Sequence, residues 1–206
     1  MSMIEQAYLS AAGEDGRMAI AEADRQIEAM GIAHTAIRAG DPAPDFLLEN
    51  ALGGSVSLRG RLLDGPVVLS FFRGLWCPFC RAELQALAKA AEAVAWTGAS
   101  LLAISPQPAS ESVRLAAAEG LTFPLLVDES AGVATRYGLA FALPEALRPA
   151  AAADGMVAGA DGEDWRVPLP ATYVISEDGI VRYSFLDPNY RNRLDPAAIV
   201  DILGRL

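Results

Sequence analysis

The chain has 206 residues, of which 52% are hydrophobic and 20% charged, enough to fill one core and too apolar for a disordered segment. Its 26 acidic against 16 basic residues leave a net charge of −10, which disfavours nucleic acid and anionic membranes as partners. Two cysteines are too few for a disulfide scaffold, no apolar run reaches membrane-spanning length, and the first residues lack a basic stretch followed by an apolar one; the expectation is a cytoplasmic chain without a secretion signal.

Residues 1–38 read as an amphipathic helical extension, ahead of a main domain over 39–206. Asp15 is placed to cap a helix whose apolar positions Ile20, Ala23, Ile27 and Met30 share one face, with Gly31 to end it. That face either docks on the core or serves as the arm of a homodimer. Gly40 to Asp45 is a breaker-rich entry to the main domain. Phe46-Leu47-Leu48 and Ser55-Val56-Ser57-Leu58 read as short strands turned at Gly53-Gly54.

The apolar run Val67 to Phe72 is short and rich in Val and Phe, so it reads as a buried strand. Arg73-Gly74-Leu75 turns into a helix with Pro78 in its first turn and Leu84, Leu87, Ala91 and Val94 at helical spacing. Ser100 to Ser105 is a second buried strand. A helix capped by Ser110 or Ser112 and ended by Gly120 leads to a third strand, Phe123 to Val127. A short helix over 132–137 stops at Gly138. Residues 140–168, rich in Ala, Pro and Gly, read as an excursion with a short helix near Pro144 to Arg148. Ala171 to Ser176 and Ile180 to Leu186 form an antiparallel hairpin, and Asp195-Pro196 opens the last helix.

Both cysteines, Cys77 and Cys80, therefore sit at the N-terminus of a helix that leaves a central strand. Unpaired N–H groups and the helix dipole favour negative charge there, so a thiolate forms more readily than on a free cysteine. A C-x-x-C pair can also close as a disulfide. Zinc fits poorly, because one such pair supplies two ligands where a structural site wants four, and the single histidine, His34, is distant in sequence. A parallel strand–helix–strand unit followed by a hairpin and a helix is the thioredoxin arrangement: an α/β fold with a central mixed sheet flanked by helices. Its active sites lie at the carboxyl ends of strands, which again selects Cys77 and Cys80.

At these residues the chain resembles the peroxiredoxin-like (alkyl hydroperoxide reductase/thiol-specific antioxidant) branch of the thioredoxin superfamily. Gly40 to Phe46 resembles that family's opening G-x-x-A-P-D-F. Phe123-Pro124-Leu125-Leu126-Val127-Asp128 is similar to its F-P-L-L-x-D, and Thr172 to Ile175 with Asp178-Gly179 to its T-F-V-I-D-x-x-G hairpin. Against the family's active-site loop, Pro-x-x-x-Thr/Ser-x-x-Cys-x-x-Glu, the matching residues are Cys80 and Glu83; Cys77 stands at the Thr/Ser position and Arg73 at the proline. Pro170 stands where the family's peroxide-polarising arginine would fall. A proline there is instead what thioredoxin-like disulfide oxidoreductases carry, in cis and facing the C-x-x-C.

The resemblance implies a thiol-dependent peroxidase or thiol–disulfide oxidoreductase that cycles a Cys77–Cys80 dithiol and disulfide. Hydroperoxides or disulfides would be its substrates and an external thiol protein of the thioredoxin type its donor, with no cofactor or metal. In the thioredoxin reading the more exposed Cys77 attacks and Cys80 resolves; in the peroxiredoxin reading Cys80 is the peroxidatic thiolate. Exposure favours Cys77 and alignment favours Cys80, with the balance towards Cys77 as the disulfide-exchanging thiol. Arg73 either lowers a thiolate pKa or is a solvated turn residue. Glu83 is either a buried proton carrier or an ordinary helix carboxylate. Trp76, beside Pro78, is either a docking or shielding surface or plain core. Tyr190 to Arg193 reads as a polar loop. The rival classes are a redox-sensing or interaction module whose disulfide alters partner binding without turnover, and an inert scaffold with buried thiols.

Overall fold

The computed structural model describes residues 3–153, Met156 and residues 164–206. It opens on helices α1 (Met3–Ala11) and α2 (Gly13–Ala29) and a single turn, α3 (Ile32–Thr35). Ile20, Ala23 and Ile27 are buried at the expected helical spacing, whereas Met30 ends the helix and is exposed. Gly13, at φ +68°, starts α2 ahead of Asp15. Asp15 therefore lies in the first turn, favoured by the helix dipole, and does not cap the helix.

Strands β1 (Leu47–Asn50) and β2 (Ser55–Ser57) pair antiparallel. Leu58, expected in the second strand, instead begins α4 (Leu58–Leu62), because the Ser57 hydroxyl accepts from the Gly60 N–H at 3.0 Å and caps a helical turn. Then follow β3 (Val67–Phe71), α5 (Pro78–Trp96), β4 (Ser100–Ser105), α6 (Ala109–Glu119), β5 (Leu125–Val127) and α7 (Gly132–Arg136). Neither Ser110 nor Ser112 caps α6. The Pro108 carbonyl already accepts from the Glu111 and Ser112 N–H groups, so the helix starts earlier and both serines fall inside it.

Part of the excursion over 140–168 lies outside the described residues. The rest is more regular than its composition suggests: β6 (Ala140–Ala142) pairs antiparallel with β7 (Arg166–Pro168), and a 3-10 turn (Glu145–Leu147) runs into α8 (Arg148–Ala153). The chain ends with β8 (Ala171–Ile175), β9 (Val181–Leu186) and α9 (Pro196–Leu203), the last capped by Asp195 through the Ala197 N–H at 2.9 Å.

The main sheet has the order β2-β1-β5-β4-β3-β8-β9. Strands β3, β4 and β5 run parallel and the other pairings are antiparallel, giving the expected central mixed sheet between helices. Alternation along β3 feeds two cores. Val68 and Phe72 meet the side chains of α2, α5 and α9, while Val67, Leu69 and Phe71 face a cluster holding Tyr137 and Tyr173. Among the described residues no helix is long and apolar enough to cross a membrane.

The helical extension is sewn to this second core at Gly138. Its φ of +70° is a left-handed conformation, and a Cβ there would lie 2.8 Å from the Thr35 carbonyl oxygen. The neighbouring Ile37 N–H donates to the Tyr137 carbonyl at 3.1 Å. Gly138→Ala is therefore expected to lower folding stability by about 2 kcal/mol, read from the midpoint of urea unfolding.

Candidate active site

The site grows from the carboxyl end of β3. After Phe72, whose N–H donates to the Ile104 carbonyl at 3.0 Å, the chain leaves the sheet through Arg73 and Gly74. Gly74 has a φ of +142°, and a Cβ there would lie 2.7 Å from Trp76 Nε1, so only glycine lets the indole fold back over the turn. Gln107, just beyond β4, anchors the turn. Its Oε1 accepts from the Leu75 N–H at 2.8 Å, its Nε2 donates to Ser112 Oγ at 2.8 Å, and its N–H donates to Ser105 Oγ at 3.2 Å.

Cys77 is the N-cap residue of α5, Pro78 is in the first turn and Cys80 follows one turn on, its N–H donating to the Cys77 carbonyl at 3.1 Å. Both cysteines are fully buried and not joined to each other, so the expected greater exposure of Cys77 is corrected. The covering groups are Trp76 and Arg73 from the loop, Tyr8 from α1, and Leu147 and Ala151 from the excursion, which together leave a cavity of about 30 Å³ beside Cys77.

Arg73 is 3% exposed, which disposes of the solvated-turn reading. Its Nη2 donates to Cys77 Sγ at 3.1 Å, and its backbone N–H donates to Cys80 Sγ at 3.5 Å. The guanidinium lies over the Tyr190 ring at 3.8 Å and the half-buried Trp76 ring at 4.7 Å. Glu83, one turn beyond Cys80, is buried and accepts from Arg193 Nε at 2.7 Å. Arg193 also donates from Nη2 to Cys80 Sγ at 3.5 Å and from Nη1 to the Tyr190 carbonyl.

Tyr190 and Arg193 are thus part of the sulfur environment, and the reading of their run as a plain polar loop is corrected. The loop lies against α5 because buried Glu83 draws Arg193 in as its counter-ion. No local signal marks this contact, since Glu83 and Arg193 are 110 positions apart in the chain.

Pro170 is buried and its peptide bond is trans, which corrects the cis expectation. The Leu169 N–H is tied to the Leu139 carbonyl at 2.8 Å, and Ala171 is in register with Phe71. The chain thus runs from one sheet into the other at this position. His34 is exposed on α3, and no cluster of metal-ligating side chains occurs among the described residues.

The electrostatics separate the two thiols. Burial alone pushes Cys77 up, but the hydrogen bond from Cys80 and the charges of Arg73 and Arg193 outweigh it and hold this thiol well below the ordinary range. Cys80 moves the other way, raised by burial, by donating to Cys77 and by the neighbouring negative charge. Burial raises Glu83 to about 6 against the opposing pull of Arg193.

Residues 39–184 match the AhpC/TSA family. The chain belongs to that family. The thiol–disulfide oxidoreductase ResA of Halalkalibacterium halodurans is 32% identical over 103 residues, 50% of this chain and 57% of that protein, so the chain spans little more than half of this relative. A Mycobacterium tuberculosis chain provisionally named a peroxiredoxin is 32% identical over 113 residues, 55% of this chain and 73% of that one. The fold is shared with the crystal structure of the peroxidoxin BcpB of Mycobacterium tuberculosis, at a TM-score of 0.65 and 23% identity over 82% of this chain and 98% of that one.

Within this AhpC/TSA body the cations around the sulfurs come from the loop and the C-terminal segment, while proline occupies position 170. Arg73→Met should raise the pH at which Cys77 becomes reactive, and Arg193→Met should raise it less. The pH dependence of iodoacetamide labelling at Cys77, followed by mass spectrometry, checks both.

Proposed function

We propose that this protein is a thiol-dependent oxidoreductase that cycles Cys77 and Cys80 between dithiol and disulfide, reducing hydroperoxides or disulfides at the expense of an external thiol protein. The observation that carries the proposal is the asymmetry of the pair: Arg73 Nη2 lies 3.1 Å from Cys77 Sγ, whereas Cys80 Sγ is met at 3.5 Å by the Arg73 backbone N–H and by Arg193 Nη2. Names borne by relatives on both sides, a peroxiredoxin and a thiol–disulfide oxidoreductase, support the same chemistry. In this reading residues 39–206 are the catalytic body and residues 1–38 a helical extension folded over it. The protein works in the cytoplasm.

Cys77 is the attacking thiolate. With a hydroperoxide, its sulfur takes the distal oxygen, the O–O bond breaks and the alcohol or water leaves after protonation, so Cys77 becomes a sulfenic acid. Cys80 then loses its proton and attacks that sulfur. Water leaves and the Cys77–Cys80 disulfide closes. With a disulfide substrate, Cys77 forms a mixed disulfide, and Cys80 displaces the substrate thiolate. Two electrons pass to the substrate in each case, and a dithiol donor returns them.

Arg73 holds the attacking thiolate and faces the developing negative charge on the leaving oxygen or sulfur. Arg193, held by Glu83, stabilises Cys80 as it loses its proton. Trp76 and Pro78 shield the pair, and buried Pro170 shapes the sheet end beside it.

Coupled turnover with thioredoxin, its reductase and NADPH tests this reading. Wild type should consume peroxide or disulfide continuously, Cys77→Ser should fall to background, and Cys80→Ser should stop with Cys77 held as a sulfenic acid after peroxide or as a mixed disulfide after a disulfide substrate. A single oxidation without turnover would make the protein a redox sensor. Sulfenic acid formed on Cys80 in Cys77→Ser would reverse the roles of the two thiols.

A further inference from the structure

Two spaces meet behind Cys77. The inner one is the 30 Å³ cavity against the sulfur, and the outer one is an open groove of about 650 Å³ between α1, α5 and α6. Tyr8, Trp76 and Pro78 line both, so these three side chains are the partition between solvent and the thiol. Two of them are fixed by the active-site turn. Pro78 is in the first turn of α5, and Trp76 is pinned between Arg73 and Gly74.

Tyr8 is different. It stands on α1, a helix with no fully buried residue, which touches the core through the half-buried Tyr8 and Leu9. Its ring meets Phe79 edge-on at 5.6 Å, and a long ion pair between Glu5 and Arg191 at 3.8 Å reaches from the helix to the C-terminal loop. An element with so little buried apolar surface opens at low free-energy cost.

We propose that Tyr8 is a specificity-determining residue that gates Cys77 by substrate size. This rests on the reading of Cys77 as the attacking thiol. With the ring seated on Phe79, the cavity is about the size of a water molecule and admits hydrogen peroxide or the hydroperoxy end of a small organic peroxide. Its wall is apolar, from Tyr8, Leu147 and Ala151, apart from the Arg73 guanidinium, whose Nη2 donates to Cys77 Sγ. A bulky disulfide cannot bring its sulfur to Cys77 until Tyr8 swings out with α1. Small hydroperoxides thus react in the closed state, whereas bulky disulfides, including a protein donor, wait for opening.

The test uses the full-length reduced protein in single-turnover reactions, monitored by loss of thiols. Hydrogen peroxide is the small probe and an aromatic disulfide, dithiobis(nitrobenzoate), the bulky one. Tyr8→Ala should speed the bulky reaction by roughly tenfold, the population gained by removing one aromatic contact, without speeding the peroxide reaction, so the ratio of bulky to peroxide rates rises by about tenfold or more. Tyr8→Phe should behave as wild type, since the ring and not the hydroxyl forms the wall. Equal changes with both probes, or no change with either, would overturn the gate. Cys77→Ser serves as the separate control: if it still reacts with both probes at the wild-type rate, the assignment of Cys77 fails. If Cys77 carries the reaction and the ratio of rates is unmoved by Tyr8→Ala, the gate alone fails.

Discussion

Arg73 is a cation that folding has taken almost entirely out of water without giving it a carboxylate. Moving an ion into a protein interior costs several kcal/mol unless an opposite charge or good hydrogen bonds receive it. Here the receivers are the Cys77 sulfur at 3.1 Å and the faces of Tyr190 and Trp76. Aromatic faces offset part of the cost, but a full negative charge is available only if Cys77 ionises. The buried cation and the low thiol pKa are therefore one fact seen from two sides. The same coupling biases the redox equilibrium. Closing the disulfide removes the thiolate and leaves Arg73 buried without its counter-charge, so the reduced form gains stability relative to the oxidised one and the disulfide becomes the stronger oxidant.

A second arginine makes the arrangement balance. Arg193 alone beside Arg73 would repel it and leave the pocket with excess positive charge. Glu83 answers Arg193 at 2.7 Å, and with Cys77 ionised the cluster holds two cations and two anions. Burial holds Glu83 near 6, so around that pH the balance weakens as the carboxylate takes a proton. A group with a raised folded pKa withdraws stability as pH rises through that value, so near neutral pH ionised Glu83 is sustained by Arg193 at some expense to the fold. That expense is tolerable because the pair also fixes the loop that carries Tyr190 against the site, and Tyr190 supplies the face on which Arg73 lies.

Much of this was legible in the chain. Val67 to Phe72 and Ser100 to Ser105 are apolar runs and Ala171 to Leu186 carries a turn signal at Asp178-Gly179, and each formed the strand or hairpin its pattern required. The cysteines fell where a strand hands over to a helix, a local feature. What escaped was nonlocal. The β6–β7 pairing joins two three-residue strands across a long insertion, too short for any period to show. Arg193 meets Glu83 across 110 positions, and nothing in Tyr190 to Arg193 distinguishes a loop folded over a helix end from one in solvent. Asp15, Ser110 and Ser112 do not cap their helices because backbone geometry at Gly13 and Pro108 begins both helices earlier. The exposure of Cys77 could not be read locally either, since two of the elements that cover it, α1 and the 140–153 segment, are far from it in sequence.

That cover bears on how strong the site can be. Coulomb attraction between Arg73 and the Cys77 thiolate is large only where water is excluded, and water is excluded only because the extension and the excursion close over the loop. An exposed C-x-x-C with the same residues would feel the arginine through solvent, with a weaker pull on the thiol. The helical extension therefore belongs to the electrostatics of the site as well as to its architecture. It follows that access and reactivity oppose each other here: each opening that admits a larger partner also wets the guanidinium and returns the thiol towards its ordinary pKa. On the proposed function, a site built this way would do its fastest chemistry on substrates that enter without opening it, and would hold larger partners to the slower rhythm of its cover.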